Sequence, residues 1–341
     1  MIPFAFIRPA LHKLAPETAH DVALKGLSWA GPLARLAAST NLQHKTQLFG
    51  HELLNPVGLA AGLDKNGDYI NGLGRLGFGF IEVGTITPRP QAGNPKPRLF
   101  RLPESQAIIN RMGFNNKGVD HLVKRLRCHH FSGVLGVNIG KNKDTPNEQA
   151  ADDYIACLEK VYAYADYITV NLSSPNTAGL RDLQAPAALA DLLGRIVEAR
   201  NRAAEQHGEH VPLVVKVAPD LNHDDIPAMA DVIANCGIEG VIATNTTIQR
   251  PQVQNQQHGN ETGGLSGAPL KPFADDTLAR FHAALPAEIV RIGCGGISNG
   301  QDAVDKFQRG AQAVQIYTGF IYQGPQLISD AVQALKAAQV S

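Results

Sequence analysis

About eight apolar, strand-like runs, each ending abruptly in Gly, Asn, Thr or Lys and followed by a segment with helical spacing, constrain this chain more than any other feature. They are Pro56 to Ala61, Phe80 to Thr85, Val134 to Gly140, Tyr167 to Leu172, Leu213 to Ala218, Gly240 to Asn245, Ile289 to Cys294 and Ala313 to Thr318. The sharpest break is Tyr167-Ile-Thr-Val-Asn171, which runs into Leu-Ser-Ser174-Pro-Asn176-Thr177. A buried strand of this kind fixes the loop that follows it. Standing alone, Ser-Pro-Asn-Thr would be ordinary turn chemistry. Its recurrence with different polar groups points to an α/β fold, a closed (β/α)8 TIM barrel, in which all strand C-termini converge on one mouth. A doubly wound open sheet is the main competitor, but no GxGxxG follows the first run. Helices are expected over Asp152 to Tyr164, Ala187 to Gln206, Asp224 to Cys236 and Ala303 to Gln308.

Ahead of the barrel, Phe4, Ile7, Leu11 and Leu14 fall on one helical face. Pro16 suits the first turn of a second helix, running to Trp29 and stopped by Gly31-Pro32. We divide the chain into this helical pair, residues 1–40, and a barrel, residues 41–341. The pair could lie on a lipid interface with Trp29 at headgroup depth, or cap a core. Apolar helical stripes mostly face protein, so the pattern by itself favours the cap. No run of about eighteen apolar residues predicts a membrane span, and the short run Met1 to Ile7 lacks the basic residue and length of a secretory signal.

Charge removes one class of partner: Lys plus Arg and Asp plus Glu are both 31, so no global field gathers nucleic acid. Cys128, Cys157, Cys236 and Cys294 form no CxxC pair, and the histidines lack HExxH spacing. Neither a metal site nor a disulfide framework is suggested, and reduced thiols fit a cytoplasmic setting.

Brought to one mouth, the run endings assemble a site. Ala61-Gly62-Leu63-Asp64-Lys65 supplies close backbone approach and a cation; the second run ends at Thr85, the third reaches Asn138, and the sixth ends Thr244-Asn245-Thr246. Lys216, with apolar neighbours on both sides, is no ordinary surface charge. Glycines in Gly293-Cys294-Gly295-Gly296 and Tyr317-Thr318-Gly319 expose backbone N–H groups where barrels commonly bind phosphate. Asn110, Asn171, Asn176 and Asn245 offer paired donors and acceptors to the N–H and C=O edge of an imide or pyrimidine ring. Lys65 and Lys216 suit an anionic substrate group and the negative charge of a reduced flavin. Ser174 is the proton-transfer candidate among the asparagines, though no His or Asp beside it forms a triad; Thr177 or a water would take its proton onward. The proline-rich stretch from Gly84 to Asn115 is too long for a connector and should form or cover the site, and Thr247 to Ser266, rich in Gln, Asn and Gly, looks like a mobile lid.

Ala60-Ala-Gly-Leu-Asp-Lys65, Asn110-Arg-Met-Gly-Phe-Asn-Asn116, Asn138-Ile-Gly-Lys-Asn-Lys143, Asn171-Leu-Ser-Ser-Pro-Asn-Thr177, Val241-Ile-Ala-Thr-Asn-Thr246 and Gly263-Gly-Leu-Ser-Gly267 together closely resemble the class 2, quinone-dependent dihydroorotate dehydrogenases. The resemblance covers essentially the whole chain. It implies an FMN barrel that oxidises (S)-dihydroorotate to orotate in pyrimidine synthesis and passes electrons to a membrane quinone, as a monomer held peripherally at the cytoplasmic face of the cell membrane. It makes Ser174 the catalytic base. It assigns FMN contacts to Ala61, Gly62, Leu63, Asp64, Lys65, Thr85, Asn138, Asn171, Lys216, Thr244, Gly267, Gly296, Tyr317 and Thr318. Substrate contacts fall to Lys65, Asn110, Arg111, Met112, Gly113, Phe114, Asn171, Asn176, Asn245 and Thr246. Soluble relatives carry cysteine where Ser174 stands and lack the helical pair. The resemblance therefore reverses the pattern-based preference and makes the pair a quinone tunnel at a membrane surface, with His20, Arg101 and Tyr317 near its inner end. The chain departs at Ala178, where the family usually has proline. Two rivals are a soluble flavin dehydrogenase using fumarate or a nicotinamide, and a non-enzymatic flavin- or phosphate-binding barrel.

Overall fold

The computed structural model describes residues 4–29 and 42–340. The expected stop at Gly31-Pro32, the domain boundary at residue 40 and the Trp29 side chain lie outside the described residues. Helices α1 (Phe4–Lys13) and α2 (Pro16–Trp29) come first, followed by a hairpin of β1 (Thr46–Leu48) and β2 (His51–Leu53). Its two-residue loop, Phe49-Gly50, takes φ of 51° and 84°. Positive φ at both positions matches the right-handed strand twist. The Phe49 ring packs on Tyr167 at 5.4 Å and helps to close the barrel floor.

Then the expected alternation begins. Strands β3 (Val57–Leu59), β4 (Phe80–Ile86), β5 (Leu99–Leu102), β6 (Ala107–Asn110), β7 (Val134–Ile139), β8 (Tyr167–Asn171), β9 (Leu213–Val217), β10 (Gly240–Ala243), β11 (Gly264–Gly267), β12 (Val290–Cys294) and β13 (Ala313–Ile316) follow in order. Between them lie α3 (Ile70–Gly74), α4 (Val119–Leu126), α5 (Ala150–Val161), α6 (Pro186–His207), α7 (Ile226–Asn235), α8 (Lys271–Ala284), α9 (Gly300–Gln308), α10 (Thr318–Gln323) and α11 (Gln326–Ala337). Eight strands, β3-β4-β7-β8-β9-β10-β12-β13, close a parallel barrel in sequence order, and each lies within or overlaps one of the eight runs. Every residue of β4, β7, β8, β9, β10 and β13 is buried. This is why these strands read as continuous apolar stretches and not as alternating ones.

The interior is filled by large side chains against small ones. A Cβ on Gly58 would sit 2.3 Å from the Phe80 ring, and one on Gly136 would sit 2.1 Å from the Tyr167 ring. Those glycines are sites where aromatic rings occupy the barrel axis.

The long proline-rich stretch is not a bare loop. It holds β5 and β6, which pair antiparallel with each other and with β11, forming a three-stranded sheet over the barrel mouth. Since β11 ends the Thr247 to Ser266 stretch, the expected lid is fastened to that sheet. Val253 is fully buried among Phe100, Leu102 and Leu265, Gln256 Nε2 donates to Ser105 Oγ at 2.6 Å, and Arg250 donates to the Gly263 carbonyl.

Candidate functional site

At the C-terminal ends of the strands lies a cavity that opens to solvent at its mouth. Every barrel strand except β7 contributes to its wall, directly or through the residues just after it. Ala61, Gly62, Lys65, Thr85, Asn110, Met112, Gly113, Phe114, Asn171, Ser174, Asn176, Lys216, Thr244, Asn245, Thr246, Gly267, Gly296, Tyr317 and Thr318 all line it, as do Cys294 and Gly295. Groups separated by more than 250 residues are neighbours here because parallel strands share one direction.

Beneath the cavity is a residue the sequence reading missed. Glu82, in the middle of β4, is 0% exposed. Its Oε2 accepts from Tyr167 Oη (3.0 Å), Thr169 Oγ1 (3.1 Å) and Gln315 Nε2 (2.8 Å), and its Oε1 accepts from Asn138 Nδ2 (2.8 Å). Lys216 Nζ lies 3.9 Å from Oε1, with the lysine only 5% exposed. A buried carboxylate is tolerated where it is paired and its lone pairs are occupied. The same network pushes the Tyr167 phenol well up, through burial first and the Glu82 charge second, so it remains a donor. Asn138 also accepts from Thr85 Oγ1 (2.5 Å) and Asn171 Nδ2 (3.0 Å). It therefore holds wall residues from below and does not itself face the cavity.

The carboxamide side is equally interlocked. Asn176 Nδ2 donates to Asn110 Oδ1 (3.2 Å), and Asn245 Nδ2 donates to Ser173 Oγ (3.0 Å) and Asn171 Oδ1 (3.4 Å). Asn110 and Asn176 keep hydrogen-bonding capacity beyond these bonds, whereas Asn171 and Asn245 use both amide edges within the protein, Asn171 donating to Thr85 and Asn138, and Asn245 accepting from Thr246. Ser174, 5% exposed, accepts from the Asn176 backbone N–H at 3.3 Å. A donor aimed at this oxygen favours its deprotonated form. Lys65 Nζ donates to the Gly62 carbonyl at 2.9 Å. Burial, then the Arg98 charge, brings its ammonium down to about 8.

Opposite this side the wall is glycine-rich. Gly267 and Gly296 take φ of 96° and 82°, and a Cβ on either would meet backbone, at 2.2 Å from Gln106 O or 2.3 Å from Lys271 Cα. Only glycine fits such positions. Thr318 Oγ1 donates to Ser266 Oγ at 2.8 Å, and the first N–H groups of α10 have no acceptor within that helix.

A second cavity lies between α1, α2 and the barrel. Its lining is aliphatic apart from a few groups, among them His12, His20, Arg101 and the Tyr317 phenol. Tyr317 lines both cavities, and burial pushes its phenol up to about 12. Burial and the Lys65 charge, opposed by Glu17, push the His20 imidazole down to about 4, so it is neutral at pH 7. Arg101 donates to the carbonyls of Leu11 and Leu14 at the end of α1, where a cation complements unsatisfied carbonyls.

Four expected site side chains lie elsewhere. Leu63 lines the second cavity, not the first. The Asp64 carboxylate turns into its own loop and accepts from the N–H groups of Asp68 (2.9 Å) and Tyr69 (2.7 Å), and burial raises it to about 6 against those bonds. Asn138 sits below the wall, as described. Arg111 points outward, pairing with Glu261 at 2.6 Å and covering the Phe100 ring at 4.5 Å. Adjacent residues of an extended segment face opposite ways, so a contiguous motif delivers only part of itself to a cavity.

Comparison with known proteins agrees with this architecture. A sequence profile described as dihydroorotate dehydrogenase matches residues 43–338. A protein of Saccharophagus degradans named "Dihydroorotate dehydrogenase (quinone)" is 53% identical over 340 residues, covering 98% of this chain and 99% of that one. One of the same name from Acinetobacter baylyi is 54% identical, with 97% and 99% covered. Among solved structures, the ferulenol complex of the Eimeria tenella DHODH superposes with a TM-score of 0.87 at 38% identity, covering 95% of this chain and 93% of that one. With the barrel matched by one profile and relatives aligned end to end, the chain belongs to the dihydroorotate dehydrogenase family.

Proposed function

We propose that this chain oxidises (S)-dihydroorotate to orotate with flavin mononucleotide as hydride acceptor and passes the electrons to a membrane quinone, in pyrimidine synthesis. One observation supports the reading above others: Ser174, the four carboxamides, Lys216 and the glycine cradle line one cavity, and Tyr317 joins it to an apolar one. The cavity fits the flavin in two respects. Gln315 lines its floor with Oε1 buried and without a partner among the described residues, and the Gly267 and Gly296 turns leave room that any Cβ would fill.

Ala61, Gly62, Lys65, Thr85, Asn171, Lys216 and Thr244 would hold the ring, and Gly267, Gly296 and Thr318 its phosphate. The bound flavin supplies a two-electron acceptor for the hydrogen at C6 of dihydroorotate. The rest belongs to this chain. Asn110 and Asn176 read the imide edge with the capacity they keep, and Asn171 and Asn245 join them by exchanging part of their bonds to Thr85, Ser173 and Thr246 for the ring. Lys65 faces the anionic group. Ser174 Oγ takes the C5 proton as the C5–C6 double bond forms, with the Asn176 N–H holding that oxygen in place, and Thr177 or a water carries the proton away. The buried Glu82–Lys216 pair keeps a fixed cation under the ring site.

On this reading the helical pair rests on the cytoplasmic face of the cell membrane and admits quinone to the second cavity, with His20, Arg101 and Tyr317 at its inner end. Exposed Phe6, Ile7, Leu14 and Val22 on α1, α2 and their junction support such a contact, and among the described residues no helix is long and apolar enough to cross a membrane. Purified chain should contain FMN and turn over dihydroorotate with a ubiquinone analogue. Turnover that survives unchanged with quinone absent and fumarate or a nicotinamide supplied would favour the soluble dehydrogenase instead.

A further inference from the structure

The helical pair and the carboxamide wall are joined by a path of hydrogen bonds that neither cavity requires. Glu17, in the first turn of α2, receives Arg98 through two bonds, Nη2 to Oε1 at 2.7 Å and Nε to Oε2 at 3.3 Å. Lys96 stands 3.4 Å away on the same carboxylate. Arg98 is 6% exposed. Its remaining nitrogen, Nη1, donates to the carbonyls of Ala92 (2.6 Å) and Asn94 (2.9 Å), and its own carbonyl accepts from the Arg111 N–H at 2.9 Å.

Asn94 carries the path onward. Its backbone N–H donates to Met112 O at 3.0 Å, and its Nδ2 donates to Arg111 O at 3.0 Å and Asn176 O at 3.5 Å. Asn110, Met112 and Asn176 are wall residues of the first cavity. The turn has no slack: a Cβ on Gly93 would sit 2.3 Å from Met112 O and 2.9 Å from Arg98 Nη1.

We propose that Arg98 is a positioning residue for the dihydroorotate wall and that Glu17, from the N-terminal helix, holds it there, so that docking of the helical pair and shape of the substrate pocket are coupled. The inference rests on the function proposed above. Its physical basis is that a buried guanidinium stripped of its carboxylate cannot stay where it is. As it turns toward solvent it releases Ala92 and Asn94, and the wall loses its brace.

An electrostatic consequence separates this from simple helix docking. The groups acting on Lys65 are Arg98, which lowers it beyond the effect of burial, and Glu17, Asp64 and Asp21, which raise it; His20, neutral at pH 7, also interacts with it. Removing the Glu17 charge takes away a raising influence. The turning-out of Arg98 also takes away the larger lowering influence, so Lys65 keeps its proton to higher pH when Arg98 leaves, whereas it would lose the proton at lower pH if Arg98 stayed in place.

The test is steady-state kinetics of the full-length flavin-loaded protein with dihydroorotate and dichloroindophenol, a soluble acceptor that bypasses the quinone cavity, comparing wild type, Glu17→Gln and Glu17→Asp. We expect Glu17→Gln to raise KM for dihydroorotate roughly three- to tenfold with kcat within about twofold. The pH at which KM begins to climb should rise, a fall would show that Arg98 has not moved and overturn the coupling, and Glu17→Asp should recover most of both effects. An unchanged dihydroorotate KM and pH profile, with only the quinone KM raised, would show that the pair merely docks the helix. If Glu17→Gln fails to retain flavin, Arg98→Lys takes its place, since it removes the bonds from Nη1 to Ala92 and Asn94: a raised dihydroorotate KM with the dye supports the coupling and an unchanged one overturns it. A wild type that does not reduce the dye at all would overturn the underlying function as well.

Discussion

The cavity at the barrel mouth is walled by strand ends whose polar atoms bond one another, whereas the cavity under the N-terminal helices is walled mainly by aliphatic side chains, with His12, His20, Arg101 and Tyr317 among its few polar groups. The first is specified by direction: Asn171, Asn138, Thr85 and Glu82 each have partners within 3.1 Å. The second is specified by shape and by water exclusion. Single-atom changes should therefore be severe at the mouth and mild under the helices, where burial of a charge or unpaired polar atom is needed to do harm.

Four substitutions probe that contrast. The largest effect belongs to Ser174→Ala, which should lower dihydroorotate turnover by about 10²- to 10⁴-fold while flavin absorbance per chain is unchanged; normal turnover would remove the serine from the chemistry. Next, Glu82→Gln keeps the shape but leaves Lys216 buried without a counter-charge. It should cost about 3–5 kcal/mol in chemical denaturation of the holoprotein, and a loss under about 1 kcal/mol would mean the floor is not held by that pair. Under the helices, Leu27→Asn places an unpaired amide on an apolar wall, at a cost of about 1–3 kcal/mol. It should raise the quinone KM about tenfold and leave dye-coupled turnover alone; equal losses with both acceptors would mean the cavities are not separable. The smallest effect is at the mouth loop. Ala178→Pro should raise the unfolding free energy by about 0.4–1 kcal/mol by restricting the unfolded chain, seen as a small upward shift in Tm, and a fall would show that the native backbone there cannot accept proline.

The same contrast governs what could be read from residues alone. Barrel strands announce themselves because burial on both faces makes them unbroken apolar runs, and their polar endings must gather once the barrel closes. Lys216 stood out by its apolar neighbours. Glu82, between Ile81 and Val83, carries the same signal, and a search for charges inside apolar runs would have found it. The sheet of β5, β6 and β11 left no local trace, since β11 lies more than 150 residues from its partner and prolines crowd the approach. The β1–β2 hairpin is too short for a two-residue period to register. Arg111 and Asp64 were assigned as members of a motif, but only the chain's pleat and turns decide which members face inward. The second cavity reads from sequence as a helical stripe alone; which surface the stripe covers is a property of the packing.

The central claim is that groups from Lys65 to Thr318 act together on one substrate beside one flavin. Anaerobic addition of dihydroorotate to the purified chain, followed at the visible absorbance band of the oxidised flavin, tests it most directly. The expected result is a complete bleach, recovered on adding quinone and absent in Ser174→Ala; a flavin that stays oxidised in the wild-type chain would contradict it.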